Sequence, residues 1–151
     1  IFYLRPKSEI KSVLARMQNQ KKIDTTLQII TCINEDSEKA MIRAKKTLAF
    51  YVSVGKIYRE FLAVNGFGNE TKNIYEEYEK KGLQNNHELV PESMVYELCI
   101  AGTSNECKSQ LKQFRETGID LPIIQFNPMD NVEDSFDLVT STFSEEYDWK
   151  K

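Results

Sequence analysis

"TLQIITCI", Thr26 to Ile33, is the stretch that decides the fold. Its apolar residues stand at odd and even places alike, so neither face of the strand can look at water. A strand with one wet face alternates apolar and polar residues. A run that is apolar on both faces belongs to a parallel sheet covered on both sides by helices.

The flanks agree. Downstream, Asn34, Asp36 or Ser37 can cap a helix, and acidic residues follow where a helix N-terminus favours them. Met41, Ala44, Leu48, Tyr51 and Val52 then mark the inner face of a long helix that Gly55 breaks. Upstream, Ile1 to Leu4 is a short apolar run ended by Arg5-Pro6, which predicts a buried strand. Pro6 suits a first helical turn, and Ile10, Val13, Leu14 and Met17 make one helical face.

Further along, Ile57, Tyr58, Phe61 and Leu62 predict a third helix ending at Asn65-Gly66. A fourth covers 70–81 and is closed by Gly82, and Pro91 opens a short helical piece. Cys107, Leu111 and Phe114 give an amphipathic helix, "PIIQF" (Pro122 to Phe126) a strand, and Val132, Phe136, Val139 and Phe143 a last helical face. The polar tail, 144–151, carries Glu145 and Glu146 with no partner base, so these are not a catalytic carboxylate pair.

This order predicts an α/β chain: three parallel strands, crossover helices and an inserted helical block over 55–98. Three parallel strands leave two uncovered edges. The pattern is that of the closing part of a larger eight-stranded (β/α)8 barrel of the TIM type, with 1–143 as its C-terminal portion. A chain that opens inside an apolar run is accordingly expected to be cut from something longer.

Composition narrows the function. Of the 151 residues, 40% are hydrophobic and 28% charged, which is ordinary for a chain with a real core. The net charge is -3 with lysine and arginine scattered, so no nucleic-acid footprint is present. The longest apolar run, "LAFYVSVG", is far too short to span a membrane. Three cysteines, Cys32, Cys99 and Cys107, without CxxC spacing predict neither a disulfide framework nor a metal site. A reduced, cytoplasmic protein is the expectation.

"CIAGTSNEC", Cys99 to Cys107, has the glycine and hydroxyls of a phosphate cradle. Yet Thr103 and Glu106 stand three apart, the spacing of a capping box, and the glutamate brings negative charge where an anion would sit. The lysine and second glycine of a P-loop are missing. The stretch reads as a helix start.

Two longer spans carry a family resemblance. One is "KAMIRAKKTLAFYVSVGKIYREFLAVNGFG" and the other "VPESMVYELCIAGTSNECKSQLKQFRETGIDLPIIQFNP". In the first, a helix with Ala40, Arg43 and Ala44 runs into Leu48-Ala49-Phe50-Tyr51, then Tyr58-Arg59, Phe61-Leu62 and a glycine. In the second, Ala101-Gly102-Thr103 precedes an amphipathic helix, and Gly118-Ile119-Asp120 precedes the last strand. Together they resemble the C-terminal part of the luciferase-like monooxygenase family, which includes deazaflavin-dependent methylenetetrahydromethanopterin reductases. Ser104 stands where that family commonly has proline.

The resemblance implies a TIM-type barrel whose last three strands are Ile1–Leu4, Thr26–Ile33 and Pro122–Phe126. It implies a parent oxidoreductase that moves hydride between a deazaflavin of the F-420 type and a methylene-tetrahydropterin-type small molecule. An FMN-dependent monooxygenase is the alternative within the family; a non-catalytic, self-associating remnant or binding module is the alternative outside it. The acidic residue assigned to catalysis and most cofactor-phosphate contacts are implied to lie before Ile1. The chain alone is therefore expected to be inactive, to bind no cofactor of its own, the deazaflavin or FMN belonging to the full-length parent, and to form a homo-oligomer.

Within the chain, Cys32, Ile33 and Asn127 are the expected cofactor contacts, with Gln125 as a further amide. Tyr51, Tyr58 and Phe61 are the expected substrate-pocket residues. No catalytic residue is assigned. His87, the single histidine, lies in the polar loop "QNNHELVP" and reads as solvated.

Overall fold

The computed structural model describes residues 2–17 and 24–144. Ile1 of the expected first strand and the tail from 145, with Glu145 and Glu146, lie outside the described residues. The elements are β1 (Phe2–Tyr3), α1 (Lys7–Met17), β2 (Thr26–Ile33), α2 (Ser37–Val54), α3 (Lys56–Leu62) and α4 (Gly68–Lys81). They are followed by α5 (Glu92–Leu98), β3 (Cys99–Gly102), α6 (Ser104–Arg115), β4 (Leu121–Phe126) and α7 (Val132–Ser144).

The strand read first, β2, is the spine of the sheet. β4 runs parallel to it along one edge, from Thr26↔Leu121 to Thr31↔Phe126. β1 pairs with Leu27 and Gln28, and β3 with Ile30 to Ile33, both also parallel. Since each overlaps positions that β4 pairs, β1 and β3 share the opposite edge, one behind the other. The Gly-Ile-Asp signature sets the β2–β4 register. Asp120 Oδ2 accepts from the Thr25 N–H and hydroxyl, both at 2.7 Å, and the Leu121 N–H donates to the Thr25 carbonyl at 3.1 Å.

Because β2 is apolar on both faces, the sheet has a core on each. Leu27, Ile29 and Ile33 pack with Ile10 and Leu14 of α1 and Cys107, Leu111 and Phe114 of α6. Ile30 and Cys32 point the other way, onto Ala40, Ala44, Leu48 and Val52 of α2 and Met94 and Leu98 of α5. Alanines at 40 and 44, both fully buried, let the α2 backbone lie close to the sheet. Asp36 starts α2 by accepting from the N–H groups of Glu38 and Lys39 at 3.0 and 3.2 Å. Gly55 ends it: a Cβ there would lie 2.5 Å from the Tyr58 ring and 2.8 Å from the Tyr51 carbonyl.

Three expectations need correction. Cys99–Gly102 is a fourth strand, where the sequence suggests only an approach to a helix. It follows α5 without a turn residue and is too short for a period-2 pattern to show. Ile57 is 73% exposed, because α3 turns Tyr58, Phe61 and Leu62 inward instead. Val132 and Phe136 are more than half exposed, so α7 packs its predicted face on the core only from Val139 onward, with Phe143 buried.

The Thr103–Glu106 capping box forms. The Glu106 carboxylate accepts from the Thr103 backbone N–H at 2.7 Å and from its hydroxyl at 2.9 Å. These bonds, the backbone N–H first, then the hydroxyl and Ser37, hold the Glu106 carboxyl below its usual range. A depressed carboxyl stabilises the fold above its unfolded-state value, near 4.5, and that contribution is lost as pH falls through the lower folded-state value. Glu106 is exposed and screened, so the effect is about 1 kcal/mol or less. Glu106→Gln is expected to be less stable than the parent at pH 7, with the gap closing below pH 4.5. Denaturant midpoints measured at both pH values check it, and a gap unchanged by pH would contradict it.

Candidate functional site

Polar side chains reach the α2 side of the sheet through the alternation of β4. Ile124 turns toward α1 and α6, whereas Gln125 and, just past the strand, Asn127 face α2. There Gln28 Nε2 donates to Gln125 Oε1 at 3.2 Å, and Gln125 Nε2 donates to the Tyr51 hydroxyl at 3.4 Å. The Asn127 amide donates to the Gln125 carbonyl at 2.8 Å, and its buried oxygen lies 3.4 Å from the Thr47 hydroxyl.

This corner opens into a cavity of about 590 Å³ beside the C-terminal end of β4. Its walls are one stripe of α2, Arg43, Lys46, Thr47, Phe50 and Tyr51, then the Leu83–His87 turn, then Gln125 and Asn127. The spacing 43, 46, 47, 50 is one helical face. Volumes of about 300–1,000 Å³ are usual for small-molecule sites.

The expected site residues divide into three groups. Tyr51, Gln125 and Asn127 come together on the cavity. Tyr58 and Phe61 stand behind it. The rings of Tyr3, Tyr51 and Tyr58 meet edge to face, with centroids 5.3–5.7 Å apart, and Phe61 is covered by the Arg5 guanidinium at 4.7 Å. Cys32 and Ile33 are packed into the two opposite cores and line no part of the cavity. Burial pushes the Cys32 thiol up to about 12 despite nearby Arg43, and the Cys107 thiol likewise. Neither is a nucleophile at neutral pH.

The Tyr3 hydroxyl is buried beside Tyr51 and Gln125 without a well-formed hydrogen bond. Burial first, and Tyr51 second, hold it well above the ordinary phenol range, so it stays protonated. His87 lines the cavity from a short 3-10 turn, Asn86–Leu89, which the polar character of its loop concealed. Among the described residues no cluster of histidine, cysteine or carboxylate side chains could hold a metal ion.

The sequence pattern of the luciferase-like monooxygenases matches residues 2–121, most of the chain. The chain belongs to the luciferase-like monooxygenase family. No curated protein sequence matches it. Among solved structures, it is similar to the coenzyme F-420-dependent tetrahydromethanopterin reductase of Methanopyrus kandleri, with a TM-score of 0.75 and 17% identity. The superposition covers 97% of this chain and 44% of that one. This luciferase-like chain thus has the fold of part of a barrel enzyme and spans less than half of the structure it matches. The Ala-Gly-Thr and Gly-Ile-Asp marks of the family have structural work here, as helix cap and strand clamp. No helix among the described residues is long and apolar enough to cross a membrane.

Proposed function

We propose that this chain is the C-terminal part of a luciferase-like oxidoreductase, and that its cavity receives a flat, polar-edged ring of the flavin or deazaflavin type. The observation that carries the reading is the wall composition. Phe50 and Tyr51 offer aromatic surface, while Gln125 and Asn127 offer amides fixed by their own hydrogen bonds. A heterocycle edged with carbonyl and N–H groups wants both. The buried, unsatisfied Tyr3 hydroxyl is a further donor next to that wall.

Tyr51 would carry the ring on its face, with Tyr3 and Tyr58 bracing it edge-on. Gln125 and Asn127 would set the ring's in-plane orientation. Cys32 and Ile33, expected as contacts, would act only by shaping the layers behind. When bound, such a ring supplies hydride transfer to or from a small substrate, and a methylene-bearing pterin is the substrate class favoured. Deazaflavin is favoured over FMN because the structural relative is named as F-420-dependent. A cytoplasmic location suits this chemistry.

Ring binding can be read without turnover. Titrating F-420-type deazaflavin and FMN with the chain, followed by fluorescence, should give saturable quenching, tighter for the deazaflavin. Tyr51→Ala should weaken it about tenfold, equivalent to about 1.4 kcal/mol. No saturable change with either ring would overturn the reading. Saturation by FMN alone would favour the monooxygenase alternative.

A further inference from the structure

The same cavity holds a charge arrangement that a ring does not explain. Arg43 and Lys46 stand one turn apart on α2, and His87 lines the cavity with them. Arg43 is aimed by two contacts: its Nε donates to the Pro128 carbonyl at 3.3 Å and its Nη1 to the Thr47 hydroxyl at 3.2 Å. Thr47 in turn bonds the Arg43 carbonyl at 3.1 Å and lies against Asn127. These leave most of the five guanidinium N–H donors uncommitted.

Among the described residues, no carboxylate comes within ion-pair distance of Arg43 or Lys46. Lysines elsewhere on the described surface do pair, Lys56 with Glu60, Lys72 with Glu76 and Lys81 with Glu77 on α3 and α4. Asp130 lines a neighbouring groove that shares Arg43 and Lys46, and it pairs with neither. An acid-rich chain of net charge -3 that leaves two cations unpaired on one cavity, one of them held in place, presents a socket for an anion.

We propose that Arg43, Lys46 and His87 form an anion-binding subsite for a phosphate or carboxylate group carried by the ligand of this cavity. Arg43 supplies directed donors, Lys46 a mobile charge at the mouth and His87 a third donor from the facing turn. The subsite shares the cavity with the proposed ring but does not depend on it. A small anion binds there whether or not a heterocycle does, so the two readings fail separately.

His87 also makes the subsite pH-sensitive. Its imidazole is held below the usual value by burial first, then by Lys46 and, more weakly, Lys45, while Glu88 opposes them. From α4, Lys81 faces Glu88, the acid beside His87. The free site therefore holds His87 neutral at pH 7. A bound anion offsets the two lysines and favours the imidazolium, so binding tightens as pH falls.

Since His87 is the single histidine of the chain, its imidazole signal in an NMR spectrum is an unambiguous probe. Inorganic phosphate and, separately, succinate are titrated at constant ionic strength against a chloride control. Saturable movement of the His87 signal is expected, with its titration midpoint raised by about half a pH unit. Saturation by phosphate alone assigns a phosphate-bearing ligand, and by succinate alone a carboxylate-bearing one. Lys46→Gln, at an exposed position that leaves the fold intact, is expected to weaken the anion at least about threefold. Movement no larger than with chloride, or unaffected by Lys46→Gln, would overturn the proposal.

Discussion

Phe114→Ala is expected to lower the unfolding free energy by about 3–5 kcal/mol, the usual cost of removing a wholly buried phenylalanine. Phe114 is 1% exposed and sits where α1, α6 and the sheet meet, among Ile10, Leu14, Leu111 and Ile119. Ile10 and Leu14 are fixed on α1, Leu111 on α6 itself and Ile119 beyond it, so they cannot collapse into the space together. Lys7 lies over the outer face of the ring, its ammonium 5.1 Å from the centre, and would lose that contact too. For a domain of this size the loss corresponds to roughly 10 °C in Tm. Thermal and denaturant unfolding measure it. A change below about 1 kcal/mol would mean that the α1–α6 layer is not packed on the sheet as described.

Gly102→Ala should cost about 2–3 kcal/mol, although it adds one methyl group at a strand end. Two causes act together. The backbone φ at Gly102 is +143°, a region that residues with a Cβ rarely occupy. The new Cβ would also lie 2.5 Å from Glu106 Oε2 and 3.0 Å from Glu106 Cβ. The carboxylate must then leave the Thr103 N–H, and α6 loses its cap. The variant should therefore lose the acid-sensitive part of its stability along with the rest. A Gly102→Ala protein that kept both its stability and the pH response assigned to Glu106 would refute this geometry.

The gross architecture was legible because long elements carry redundant signals. β2 announces a doubly covered sheet in eight residues, and α2 repeats its buried face over five turns. The Gly-Ile-Asp stretch could be quoted as a mark of resemblance, but its clamp on Thr25 is a contact across 95 residues that no local pattern contains. β3 was missed for the opposite reason: four residues between two helices are too few for periodicity to register. Ile57 shows that a helix of seven residues can be rotated by its neighbours, here the tyrosines around Gly55, without violating its own pattern.

Half of the candidate cavity's wall is legible in the sequence. Tyr51, Gln125 and Asn127 could be proposed from their places near strand and helix ends. The same logic points to Cys32 and Ile33, yet in β2 the end of the strand is still core, because β3 continues beside it to Gly102. Arg43, Lys46 and Thr47 carry no such signal, because polar and charged residues on a helix usually face water. The missing fact was the Leu83–His87 turn folded against them.

We propose that this luciferase-like chain binds a flavin-type ring in the cavity between α2 and β4. Amide NMR spectra recorded while deazaflavin or FMN is added test it most directly. Saturable shifts are expected at Thr47, Phe50, Tyr51, Gln125 and Asn127, with the α1 and α6 amides unmoved. Shifts centred instead on α1, α6 or the outer face of α4, or none at saturating ligand, would contradict it.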